Sequence, residues 1–231
     1  MSQVFISHSR RDEQTKNFFY RAFSGTAVLP IWMEYEKPPT SSIDEAIERK
    51  IQVSSAVFFL LSEAVERIPF TRDWVLWENG KITNKDIWVF EPEETLGRIN
   101  VVLPRFHHYV RYQRTKPWRD YINSIVRSYD SSNLLGLVGT GTGLGAIVSE
   151  EDKAAGAILG GLVGAVVEAI GRPNAPTGVP VTCLKCSYSY AVHLTRGVNE
   201  FRCARCNCRL ELRSQEFWSV NRIKWAYSIT C

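Results

Sequence analysis

Two periodicities alternate along the first 130 residues. Short apolar runs of strand character occur at Val4–Ser7, Val28–Met33, Ala56–Leu61, Ile87–Phe90 and Ile99–Leu103. Between them lie stretches whose apolar residues recur every three or four positions, the spacing of an amphipathic helix. In the first of these, Asp12 is placed to cap a helix carrying Phe18, Phe19, Ala22 and Phe23, and Gly25 is placed to end it. The spacing predicts further helices over Ile43–Ile51, Phe70–Ile82 and Pro117–Tyr129. The last has Trp118, Tyr121, Ile122, Ile125 and Val126 on one face. Ala56–Leu61 is apolar without a break, which marks a strand buried on both faces. Strands alternating with helices predict an α/β domain with a parallel sheet covered on both sides. Such sheets bind ligands beyond the carboxyl ends of their strands. Here the loops at those ends would be Ser7–Asp12, Glu34–Ser42 and the segment after Ser62.

The pattern changes at residue 131. Leu134–Val148 and Ala154–Ile170 are aliphatic and glycine-rich, joined by the charged turn Ser149–Lys153. Gly156, Gly160 and Gly164 are spaced by four, which puts small residues on one helix face, as in closely packed membrane helices. The arms hold 15 and 17 residues, against the ~20 needed to cross a bilayer. Residues 131–172 are therefore read as a helical hairpin with a possible membrane association through 134–170. A glycine-rich linker and a self-association zipper are the other readings. Residues 173–180, with Pro173, Pro176 and Gly178, read as a linker.

All six cysteines lie from Cys183 onward. Cys183-x2-Cys186 and Cys203-x2-Cys206, with 16 residues between the pairs, have the spacing of a four-thiolate zinc site. Residues 181–231 are read as a small β zinc ribbon. The segments Ser187–Leu194, Glu200–Arg202 and Arg209–Arg213 supply its strands, and Cys208 and Cys231 are left spare. Its basic and aromatic residues suit either a protein or a nucleic-acid partner. For the whole chain a net charge of +4 makes no strong case for nucleic acid. The polar residues His8, Arg10, Arg11 and Asp12 close off the first apolar run too soon for a secretory signal. The N-terminal part is expected to be cytoplasmic.

The candidate chemistry gathers around the helix of Trp74 and Glu78, whose side chains share one face four residues apart. Val4-Phe5-Ile6-Ser7-His8-Ser9, the Glu36-Lys37 loop, the Ala56–Ser62 strand and Trp74-Val75-x-x-Glu78 together resemble a TIR (Toll/interleukin-1 receptor homology) domain over residues 1–130. The resemblance implies a flavodoxin-like fold. It also implies one of two roles: an adaptor that assembles through TIR–TIR contacts, or an enzyme that cleaves the nicotinamide–ribose bond of NAD+ in immune or stress signalling. The enzymatic members use a glutamate at the position that Glu78 matches.

Cleavage of that bond builds oxocarbenium character on the ribose, and a carboxylate beside it stabilises the cation. Nicotinamide leaves as a neutral ring, so one carboxylate can suffice. Trp32 and Trp74 offer flat surfaces for stacking, although Trp74 reads more readily as a core residue than as a stacking platform. Arg10 is placed to pair with a pyrophosphate oxygen. His8, Ser9, Glu34 and Glu36 complete the substrate-binding candidates. The expected assembly is a homo-oligomer, with Zn2+ structural and NAD+ as substrate.

Overall fold

The computed structural model describes residues 2–33, 41–130, 176, 178–194, 198–219 and 222–230. The expectations placed on 131–175, on Glu34 and on Glu36 lie outside the described residues.

The chain begins with β1 (Gln3–Ser7), α1 (Glu13–Phe23), β2 (Leu29–Met33), α2 (Ser41–Val53) and β3 (Ala56–Leu60). A short helix α3 (Glu63–Arg67), α4 (Pro69–Lys81), β4 (Asp86–Pro92), β5 (His108–Tyr112) and α5 (Lys116–Arg127) follow. β1 to β5 are parallel, in the order β2-β1-β3-β4-β5, which is the order of flavodoxin-like doubly wound sheets.

Local signals explain the helices. The Asp12 side chain accepts from the Thr15 N–H at 3.0 Å and starts α1. Gly25 at φ 74° ends the helix in a conformation that L side chains rarely adopt. Pro69 opens α4, where its missing N–H costs nothing.

The two faces of the sheet sort its side chains by their alternation along each strand. Val4, Ile6, Phe58 and Val110 pack with Phe19, Phe23, Ile122 and Val126 under α1 and α5. Phe5, Val57, Phe59 and Val89 pack with Ile47, Ile51, Trp74 and Val75 under α2 and α4. Burying each such large apolar side chain contributes about 1.5–3 kcal/mol, and all five residues of β3 are buried.

The fifth expected strand is displaced. Ile99–Leu103 is irregular extended chain, and the strand is His108–Tyr112. Ile99, Val101 and Leu103 are buried, so the alternation reports one buried face correctly. The backbone partners of this segment lie elsewhere, however. The Leu103 N–H bonds to the Ala204 carbonyl at 2.7 Å, and Arg202 donates to the Val101 carbonyl at 2.9 Å.

The C-terminal segment does not stand apart from this domain. β6 (Val179–Thr182) and β7 (Ser189–His193) form a hairpin, and β7 pairs parallel to β5, giving seven strands in the order β2-β1-β3-β4-β5-β7-β6. β8 (Glu200–Arg202), β9 (Arg209–Ser219) and β10 (Arg222–Thr230) form a second, antiparallel sheet. The core under α2 and α4 runs on without a break into Val181, Cys183, Tyr190, Phe201, Cys203 and Leu210.

Polar contacts fix the junction. Arg202 and Glu91 form an ion pair at 2.7 Å, with side chains 3% and 0% exposed. Arg111 donates to the carbonyls of Glu93 and Glu200. His108 and His193 are 3.1 Å apart, and His193 meets the Tyr121 hydroxyl at 2.6 Å. Trp88 stacks on His108 with centroids 3.7 Å apart. Burial holds His108 down to about 2 and His193 down to about 3, so both imidazoles are neutral. The hairpin reaches this place only because residue 178 is glycine. A Cβ there would lie 2.6 Å from His193 Nε2 and 2.7 Å from the Val192 carbonyl oxygen.

Removing one partner of the buried ion pair leaves an uncompensated charge. Arg202→Met is expected to lower the unfolding free energy by roughly 3–5 kcal/mol, read by urea denaturation. The double variant Glu91→Met/Arg202→Met is expected to recover most of that loss. A loss below ~1 kcal/mol for the single variant would show that the pair does not hold the junction.

Candidate functional site and metal centre

The carboxyl end of the sheet gathers polar side chains that the apolar strands would not supply. Ser7 ends β1, and His8 and Ser9 follow it, all three buried. Trp32 comes from β2, whose register sets it opposite Ile6. His8 and Trp32 meet edge to face with centroids 5.2 Å apart. Ser62 follows β3 and is 4% exposed. Ser9 Oγ, Ser62 Oγ and the Trp32 indole nitrogen are buried without a hydrogen-bond partner. Buried polar groups are nearly always paired, so three orphans at one sheet edge point to a ligand or water.

Glu78, on α4, is fully buried. Burial raises its pKa from 4.5 to about 8. The neighbouring Ser7 hydroxyl opposes that shift. Burial thus favours the protonated form of Glu78. A buried carboxyl shifted this far can hold a proton, or turn anionic when a cation arrives.

Trp74 is fully buried in the core under α2 and α4, edge to face with Trp77 at 5.5 Å. Of its two sequence readings the core one describes its place. Arg10 is exposed. The structure thus draws His8, Ser9, Trp32 and Glu78 toward the ends of β1 and β2 and leaves Arg10 on the surface. Sequence reasoning passed over Ser7 and Ser62 as site residues. Both end or follow a strand at the carboxyl edge, which was the available signal. A neighbouring cleft of about 230 Å³ lies between the loops after β1, β3 and β4, lined in part by Arg11, Ser62, Glu94 and Arg114. Glu78 does not line it.

The four cysteines of the two pairs converge. Their sulfurs lie within 4.8 Å of one another, with Cys183–Cys206 at 3.6 Å and Cys186–Cys203 at 3.7 Å. Four sulfurs bound tetrahedrally at ~2.3 Å would be about 3.8 Å apart, so the group can hold a metal ion such as zinc.

The two pairs are built alike. The Cys183 N–H bonds to the Tyr188 carbonyl and the Ser187 N–H to the Cys183 carbonyl. The Cys203 N–H bonds to the Cys208 carbonyl and the Asn207 N–H to the Cys203 carbonyl. Ser187 and Asn207 carry the matching positive φ of 55° and 58°. Burial pushes the Cys203 thiol up, while the N–H groups of Arg205 and Cys206 point at its sulfur and favour the thiolate. A bound cation would settle the balance toward the thiolate. Cys208 stands outside the quartet and is disulfide-bonded, while Cys231 lies outside the described residues. His193, read from sequence as a strand residue, is one.

No protein-family model matches the chain, and neither does any curated protein or solved structure compared with it. Among the described residues no helix is long and apolar enough to cross a membrane.

Two outcomes follow from this geometry. Because Glu78 has a raised folded pKa, the unfolded chain releases its proton near pH 4.5 and the folded chain only near 8. Its contribution to stability is greatest below pH 4.5 and declines as pH rises to 8. Glu78→Gln should therefore match the parent at pH 4 and exceed it at pH 8, measured by urea unfolding across that range. Equal stability at both pH values would show that the carboxyl ionises normally. For the metal centre, the purified chain should carry one zinc by elemental analysis. Cys203→Ser should lose the metal and speed amide exchange in both β7 and β5, because the site and the sheet share one core.

Proposed function

We propose that this protein is a TIR-type NAD+ nucleosidase, with Glu78 as its catalytic carboxylate and zinc as a structural ion in the cysteine quartet. The observation that carries the reading is the set of buried polar groups at the ends of β1, β2 and β3: Ser9, Trp32 and Ser62 without protein partners, and the shifted Glu78 carboxyl. The β2-β1-β3-β4-β5 order supports it, because a crevice at the carboxyl ends of such a sheet suits a nucleotide.

The chemistry follows from the charge on the substrate. The nicotinamide ring of NAD+ is cationic, and its departure moves positive charge onto the ribose. A carboxyl that burial keeps neutral becomes the favoured anion beside that charge. Its interaction therefore strengthens toward the transition state, which is the requirement for catalysis rather than mere binding. His8 and Trp32, in edge-to-face contact, offer a ring surface at the same end of the sheet. The serine hydroxyls can hold ribose oxygens. Hydrolysis or cyclisation then depends on whether water or an internal nucleophile reaches the anomeric carbon.

One observation favours a second reading. Glu78 is 0% exposed, and a carboxyl closed off in every state would make this chain an adaptor that works through TIR–TIR contacts. The two readings separate in one assay of NAD+ in concentrated lysate or after forced clustering. Enzymatic function predicts NAD+ loss with the parent chain, and a drop of about 100-fold or more with both Glu78→Ala and Glu78→Gln. Unchanged NAD+ with the clustered parent chain assigns the adaptor role.

A further inference from the structure

A second cleft, of about 550 Å³, opens at the amino-terminal ends of β4 and β5, where the cysteine module meets the main sheet. It shares no lining residue with the group around Glu78. Its volume lies within the ~300–1,000 Å³ of small-molecule sites.

Its walls carry three nitrogen donors, each held by the fold. Lys85 Nζ is steadied by the Gln52 carbonyl at 2.7 Å. One Arg105 guanidinium nitrogen donates to the Gly80 carbonyl at 2.8 Å, leaving the others for a guest. The Arg105 backbone is fixed on both sides by the Asn79 amide, at 2.6 and 3.1 Å. His107 Nδ1 accepts the Ile87 N–H at 3.1 Å. With Nδ1 occupied as an acceptor, the ring proton sits on Nε2. Burial keeps that imidazole below its ordinary range, which agrees with a neutral ring.

Tyr188 closes the far wall. Its hydroxyl donates to the Phe106 carbonyl at 2.6 Å and accepts the Phe106 N–H at 2.8 Å. Its ring carries Arg205 at 4.7 Å. One carboxylate, Asp86, lines the same cleft and accepts from Tyr129 at 3.0 Å.

We propose that this cleft binds the phosphate monoester of a small polyol or nucleoside. Lys85, Arg105 and His107 Nε2–H hold the phosphate, and Asp86 accepts from hydroxyl groups of the ester. Three nitrogen donors on the walls of one cleft suit a phosphate's oxygens, and the contacts that already hold each of them limit the ordering cost of binding. A single carboxylate beside them disfavours a bare polyanion and suits a ligand whose other half donates hydrogen bonds. A nucleoside and a simple sugar phosphate share this chemistry.

Calorimetric titration of the zinc-loaded full chain with AMP, ribose 5-phosphate and inorganic phosphate tests the assignment. At least one ester is expected to bind more tightly than inorganic phosphate and to shift the His107 ring resonances in NMR spectra. If AMP alone binds, the base contributes; if both esters bind alike, the sugar phosphate is sufficient. Lys85→Ala and Arg105→Ala, both at positions open to solvent, should each weaken binding about 10-fold, a difference of about 1.4 kcal/mol. Lys81→Ala, outside the cleft, should leave binding unchanged. Three results would overturn the proposal: no ester binding, binding no tighter than that of inorganic phosphate, or equal losses in all three variants, which would indicate general charge attraction. None depends on Glu78 or on NAD+ turnover.

Discussion

A strand buried on both faces must find partners for whatever polar side chains it carries, and β5 carries a histidine as its first residue and an arginine as its fourth. His108 and Arg111 are buried, and no helix of the main domain satisfies them alone. Partners arrive from far along the chain: His193 in β7 for His108, and the Glu200 carbonyl in β8, beside that of Glu93, for Arg111. Glu91 on β4 has the same need and meets Arg202. The sheet is thus completed by the cysteine-bearing segment. That ion pair is not a source of large net stability, because one Glu91 oxygen and one Arg202 nitrogen stay without partners. Its value lies in placement, since only one docking of β8 on β4 avoids a naked buried charge.

The first four strands and the four long helices were legible because each rests on local signals. Alternating burial, the Asp12 cap and Gly25 all act within a few residues. β5 was hidden for a physical reason. His-Tyr-Val-Arg-Tyr reads as polar until the residues that satisfy it are known, and those are about eighty positions away. Ile99–Leu103 misled for the opposite reason. Its burial pattern is that of a strand, but Arg202 and Ala204 take its backbone groups. The cysteine quartet was fully legible, since spacing alone defines a knuckle. That its hairpin would join the main sheet was not, because a register between distant strands leaves no local trace.

At the proposed catalytic position, sequence named the residue and structure supplied its state. Spacing on a helix says nothing about dielectric. A fully buried carboxyl held near pKa 8 is a poor permanent anion, and under the proposed function its charge would appear in answer to a guest. The same distinction separates Trp74 from Trp32. Both are flat and aromatic in sequence, yet the first is spent on the core while the second keeps a buried indole N–H with no protein acceptor.

The parallel pairing of β5 with β7 has a consequence for synthesis. A ribosome finishes β1 to β5 well before it reaches residue 189, so the growing chain holds an open sheet edge, with His108 still lacking His193 and Arg111 still lacking the Glu200 carbonyl, while residues 113–188 are made. Open edges invite pairing with other chains. The newborn protein thus passes through an interval in which its largest sheet is adhesive, and that interval closes only once β7 has been made.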